Sequence, residues 1–147
     1  MPMIDVYAAA GTFPDPHRLA IDLATAVMEV EQVPNIPLFR KNTAALIHEL
    51  PAEAITNVDG DRGYVRVQVL TNAGALDRQK QLAVVDRLTS IVADAAGDPH
   101  LRGRTWVQLT EAVEGGWGLN GHANTNEEII LLAREEIARL QASSTGA

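Results

Sequence analysis

Tyr64-Val65-Arg66-Val67-Gln68-Val69-Leu70 is the stretch whose reading decides the fold. Val65, Val67 and Val69 lie on one side of an extended chain and Tyr64, Arg66 and Gln68 on the other, which predicts a half-buried strand. Asn72-Ala73-Gly74 then turns the chain. Asp77 is placed to cap a helix with Leu82, Val85, Leu88 and Val92 as its apolar stripe, and Gly97-Asp98-Pro99 ends it. Thr105 to Glu111 reads as the next strand, followed by the glycine-rich segment Glu114 to Gly121. Two strands joined by a helical crossover pair in parallel, so this is a βαβ unit.

Upstream, the same order is written once more. Met3 to Ala8 is a short strand and Gly11-Thr12 a turn. Asp15 caps a helix from Pro16 to about Gln32, with Pro16 at its first position, where a missing N–H costs nothing. Leu19, Leu23, Val27 and Val30 form its stripe, and Val33-Pro34-Asn35-Ile36-Pro37 stops it. Thr43 to Glu49 is the second strand, with Ala45 and Ile47 on one face, and Arg40 and Lys41 fall in the loop before it. Downstream, Thr125 and Glu128 make a capping box for a third helix with Ile130, Ala133, Ile137 and Leu140 along one side. Ala142 to Ala147 is expected to fray.

The fold predicted is α+β: two consecutive βαβ units forming a four-stranded mixed sheet, two helices packed on one face, and an added C-terminal helix. A single domain accommodates 147 residues, with units at 2–60 and 64–121 and the last helix at 125–141.

A net charge of −7, with no basic run longer than Arg40-Lys41, argues against a nucleic-acid partner. The absence of cysteine excludes thiol nucleophiles and disulfides. The histidines, His17, His48, His100 and His122, are scattered without metal-ligand spacing, so neither a metal nor a cofactor is expected. No segment reads as a signal peptide or membrane span, which predicts a cytoplasmic protein.

Pro2-Met3-Ile4-Asp5-Val6-Tyr7, then Gly11 and a helix, resembles the opening of tautomerase-superfamily chains. Gly74 before Asp77-Arg78-Gln79-Lys80, Trp106-Val107-Gln108-Leu109-Thr110-Glu111 and Gly116-Trp117-Gly118-Leu119-Asn120-Gly121 resemble 4-oxalocrotonate tautomerase. The likeness spans about residues 2–125, and the length is that of fused members such as cis-3-chloroacrylic acid dehalogenase and malonate semialdehyde decarboxylase. It implies a homotrimer acting on a small carboxylate without a cofactor. Pro2 becomes the acid–base once Met1 is removed, and Val65 stands where a second proline would be.

A free α-amino group titrates near ~7.7–8.0, and burial lowers that value, so a neutral Pro2 amine can move a proton on carbon next to a carbonyl. The resemblance offers Trp117 as the apolar wall. By the resemblance, the family's arginine positions hold Thr12, Asn72, Ala75, Ala44 and Trp106 here, and Arg40 or Arg104 is the expected carboxylate anchor. The reading is thus a keto–enol tautomerase for an α-keto acid or unsaturated carboxylate. Its alternatives are a hydratase, dehalogenase or decarboxylase using protonated Pro2, and a noncatalytic binding protein on the same scaffold.

Overall fold

In the computed structural model, which describes residues 1–146, the chain runs β1 (Met3–Ala9), α1 (Pro16–Glu31), α2 (Pro37–Lys41), β2 (Ala44–Leu50), β3 (Val65–Thr71), α3 (Arg78–Ala96), β4 (Thr105–Glu111), β5 (Trp117–Leu119), β6 (His122–Asn124) and α4 (Asn126–Thr145). The main sheet has the order β2-β1-β3-β4. β1 with β2 and β3 with β4 are parallel, as their crossovers require, while the two units meet antiparallel along β1 and β3.

Alternation decides which face is dry. Ile4 and Val6 of β1 and Val67 and Val69 of β3 are fully buried against Leu19, Leu23 and Val27 of α1 and Val84, Leu88 and Val92 of α3. Each such side chain contributes roughly 1.5–3 kcal/mol on leaving water. The helix ends follow from local chemistry. The Asp15 side chain accepts the Arg18 N–H at 2.9 Å, and Asp77 that of Lys80 at 2.9 Å. α1 ends at Gln32 and α3 at Gly97, both with left-handed backbone, φ 61° and 64°.

The predicted strands and the first two predicted helices form with shifts of a residue or two, and four details differ. Residues 37–41 are a short helix, so Arg40 and Lys41 are helical; Pro37 supplies its favourable first position. On α3 the buried side carries Val84, Leu88, Thr89 and Val92, while Leu82 and Val85 are exposed. On α4 it carries Ile129 and Ala133, while Ile130 and Leu140 are exposed. Ile129-Ile130-Leu131-Leu132 is apolar all round, so the residues packed against the helix, and not its own periodicity, select the face. The Thr125–Glu128 capping box is present, and the helix continues to Thr145 where a frayed tail was expected; Ala147 lies outside the described residues. Among the described residues no helix is long and apolar enough to cross a membrane.

The opposite sheet face has no helix over it. Tyr7 stacks on His48 at 4.4 Å, His48 Nε2 lies 2.6 Å from Asp5 Oδ1, and the Arg66 guanidinium stands 5.7 Å over the Tyr7 ring. Arg66 also donates to Gln108 and Gln68, each at 2.8 Å. Leu46 and Trp106 are exposed on the same face, with Trp106 stacked on Tyr64 at 4.6 Å.

Candidate active site at the start of the first strand

A second apolar cluster closes the end of the sheet where β1 and β2 begin and β3 and β4 finish. Met1, Ile36, Phe39, Trp117, Ile129 and Ala133 are its buried members, joined by the partly buried Met3 and Leu70. Each comes from a different local device. Pro37 starts the short helix that carries Phe39 inward. Trp117 rides on the β5–β6 hairpin, whose turn residues Asn120 and Gly121 have φ 52° and 76°, the left-handed pair that a two-residue type I′ turn needs. Buried Asn124 fixes this hairpin by donating to the Trp117 and His122 carbonyls at 3.0 Å each. Gly116 precedes Trp117 because a Cβ there would stand 2.9 Å from the Val113 carbonyl oxygen. α4 supplies Ile129 and Ala133, and Glu136 ties it to α2 by accepting the Leu38 N–H at 2.8 Å.

Pro2 is buried at the floor of this chamber, and its carbonyl accepts the Ala44 N–H at 3.2 Å. The Met1 side chain fills the chamber. The Met1 amino group lies 3.4 Å from Glu31 Oε2 and 3.5 Å from Asn72 Oδ1. Burial pushes this amine below its ordinary 8.0, and attraction to Glu31 works against that shift. Burial likewise raises the Glu31 carboxyl above 4.5, opposed first by the amine and then by Lys80. Lys80 Nζ donates to the Glu31 main-chain carbonyl at 3.1 Å. Glu31 Oε1 is buried with no partner, as is Thr43 Oγ1, next to Ala44 on the strand beside Pro2.

Of the residues singled out in the sequence, Pro2 is buried at this end of the sheet and Trp117 belongs to the cluster. Arg40 does not face the amine. Its guanidinium donates to the Asn35 carbonyl and side-chain oxygens at 2.9 and 3.0 Å, beside a surface groove of about 480 Å³ that it shares with Met28, Val33 and Thr43. Arg104 lies at the other end of the sheet, about 20 Å away along seven residues of β3. There it pairs with Asp98 and donates to the Gly63 carbonyl at 2.6 Å. Tyr7, His48 and Arg66 sit on the uncovered face.

Glu31 was not anticipated, and Asn72 entered only as the residue standing at one of the family's arginine positions. Glu31 did carry a signal: it falls four residues after Val27, on the continuation of the buried Leu19-Leu23-Val27 stripe. A carboxylate on an apolar stripe at a helix end marks a buried charge. Asn72 carried no signal beyond that resemblance, since the register of β3 beside β1 is what brings it to the chain's first residue. No group of side chains suited to holding a metal occurs among the described residues.

No protein-family profile matches the chain, and no curated protein matches it by sequence. Solved structures do match by shape. A member of the cis-3-chloroacrylic acid dehalogenase family superposes with a TM-score of 0.69 at 20% identity, covering 89% of this chain and 90% of that one. A fused 4-OT (4-oxalocrotonate tautomerase) solved as a symmetric trimer gives 0.70 at 18%, covering 86% and 98%. A malonate semialdehyde decarboxylase inhibited by 3-bromopropiolate gives 0.64 at 18%, covering 82% and 92%. The chain therefore has the fold of the tautomerase superfamily. Both βαβ units lie on one chain.

Proposed function

We propose that this protein is a cofactor-independent cytoplasmic enzyme that moves a proton on carbon next to a carbonyl, with Pro2 as the acid–base once Met1 is removed. One observation carries the reading: Pro2 is buried at the start of the chain, next to an apolar cluster that includes Trp117 and close to the Glu31 carboxylate. While Met1 is attached, the Pro2 nitrogen is an amide and cannot take a proton. Its removal turns the same nitrogen into a secondary amine in surroundings that favour the neutral form. The fold supports this assignment, and so do neighbours that are a tautomerase, a dehalogenase family member and a decarboxylase. Three copies per assembly is the matching proposal, supported by the trimeric fused neighbour and the uncovered sheet face.

Intact-mass measurement followed by tautomerisation assays with phenylenolpyruvate and 2-hydroxymuconate tests the reading. The expected result is loss of Met1 and a drop of at least about 100-fold in Pro2→Ala. Full activity in that variant removes Pro2 from the mechanism.

Two observations favour other readings. A carboxylate, Glu31, lies 3.4 Å from the amino group at the chain's start, which suits a protonated Pro2 and hydration, dehalogenation or decarboxylation; halide and CO2 release from halogenated acrylates and malonate semialdehyde test that. Met1 is only 2% exposed and well packed, which suits a noncatalytic protein that retains it; a mass that includes Met1 would establish that reading and end the catalytic ones. A carboxylate substrate needs a cation across the chamber. Within one chain neither Arg40 nor Arg104 supplies it.

A further inference from the structure

Glu31 is the last residue of α1, and only 3% of its side chain is exposed. Its Oε2 lies 3.4 Å from the Met1 amine, and its Oε1 is buried with no hydrogen-bond partner among the described residues. Besides that amine, the cation acting on it is Lys80 of α3, whose Nζ donates to the Glu31 main-chain carbonyl and not to the carboxyl. Asn72, 3.5 Å from the same amine, carries no charge. The Pro2 nitrogen is three bonds from the Met1 amine, about 3.6 Å at most, which puts it within about 7 Å of Glu31 Oε2.

We infer that Glu31 is a second catalytic residue, which passes a proton to and from the substrate's carbonyl oxygen while Pro2 serves the carbon beside it. This rests on the reading that Met1 is removed and Pro2 reacts. A carbonyl and its neighbouring carbon bridge such a span with a contact of about 3 Å at each end. In enolisation the C–H bond breaks, its proton goes to the Pro2 nitrogen and its electron pair forms the C=C bond. The carbonyl π pair takes the proton of the Glu31 carboxyl. An enol, a Pro2 ammonium and a Glu31 carboxylate result; the proton on Pro2 then returns to Glu31 and resets the pair. Ketonisation runs the same steps backwards. Burial raises the Glu31 carboxyl above 4.5, and removal of Met1 takes away the amine that opposes this rise. In its proton-bearing form Glu31 has no charge with which to repel a substrate carboxylate.

The test uses protein whose mass shows Pro2 as the first residue. Exchange of deuterium into phenylpyruvate, at the carbon next to its carbonyl, is followed by NMR. Glu31→Gln keeps the size of the side chain but has no proton to give, so kcat should fall by about 100-fold or more with KM little changed. The pH profile separates this role from a packing one. The working pair holds one proton between its two groups, so wild-type kcat/KM should fall on both sides of an optimum. In Glu31→Gln the alkaline fall should vanish, because neutral Pro2 is then the sole requirement.

Exchange that depends on Pro2 but ignores Glu31→Gln, or a wild-type profile with no alkaline fall, overturns the inference and leaves Pro2 catalysis standing. Exchange undiminished in Pro2→Ala ends the proposed function and this inference together. Should phenylpyruvate not exchange at all, the pair is read directly by NMR titration of the Pro2 nitrogen and the Glu31 carboxyl carbon. The last proton should leave the wild-type pair at least about one pH unit higher than it leaves Pro2 in Glu31→Gln, because a nearby carboxylate retains it. That offset upholds the shared proton; equal values overturn it.

Discussion

The Met1 amino group and the Glu31 carboxylate face each other at 3.4 Å with side-chain exposures of 0% and 3%, the most enclosed ion pair in the described structure. A buried pair of this kind adds little net stability, because desolvation of both charges offsets their attraction. Its consequence is chemical. Burial favours the neutral form of each partner: it lowers the amine and raises the carboxyl, and their mutual attraction opposes both shifts.

For a chain beginning at Met1, the pH dependence of stability follows from these directions. Glu31 titrates above 4.5 when folded, so the folded state holds its proton better than the unfolded one, and stability falls as pH rises through the folded value. The amine titrates below 8.0 when folded, so stability rises as pH climbs from that value towards 8.0. A stability curve from urea midpoints should therefore dip between these limits. Glu31→Gln should erase the fall on the acid side and move the amine further below 8.0, because the attraction that opposes its desolvation is lost. A flat wild-type curve, or an amine that titrates higher in Glu31→Gln, contradicts this account.

Trp117→Ala should lower stability by about 3–5 kcal/mol, the usual cost of deleting a large buried aromatic side chain. The urea midpoint should fall with an unchanged slope, since the two-helix core on the far side of the sheet keeps its own contacts. A loss under 1 kcal/mol would mean that the hairpin does not hold the chamber shut.

The cap of α4 gives a third expectation. Thr125 accepts the Glu128 N–H at 3.1 Å, and Glu128 accepts the Thr125 N–H at 2.8 Å. Thr125→Ala should cost about 1 kcal/mol in urea unfolding. The Glu128 carboxyl is held below 4.5, chiefly by that backbone N–H and then by His122. Its contribution is thus present above 4.5 and disappears as pH falls through the folded value, which NMR titration of Glu128 would follow. Because Ile129 and Ala133 begin the same helix, amide exchange in the chamber wall should quicken in Thr125→Ala.

How much of this was written in the sequence depends on how local each feature is. The alternation of Val65, Val67 and Val69 and the caps at Asp15, Asp77 and Thr125 act within a few residues, and they predicted the sheet and its helices closely. Pro2 and Trp117 were singled out together only through resemblance, since over a hundred positions of chain separate them. The short helix at 37–41 was hidden because Pro34 and Pro37 read as breakers, although proline at a first helical position is also a start. The two arginines were chosen for their charge. Charge does not say which way a side chain turns, and Asn35 and Asp98 turn them elsewhere.

The last expectation concerns assembly. A sheet that buries one face under α1 and α3 leaves the other to solvent in a lone chain. That face carries Leu46 at 48% exposure on the edge strand β2 and Trp106 at 43% on the opposite edge, with an ordered polar band of Asp5, His48, Arg66 and Gln108 between them. Apolar side chains at both edges of an uncovered sheet face are what a closed ring of copies would bury, each copy offering one edge to the next. Light scattering should give a mass three times that of the 15.8 kDa chain. Leu46→Arg should shift the population to single chains, because a charge buried at a packed contact without a partner costs several kcal/mol. The variant's far-ultraviolet dichroism should stay unchanged, since Leu46 makes no part of the buried core. A wild-type chain that remains single at tens of micromolar removes the assembly proposal, and an assembly indifferent to Leu46→Arg places its contacts on another face.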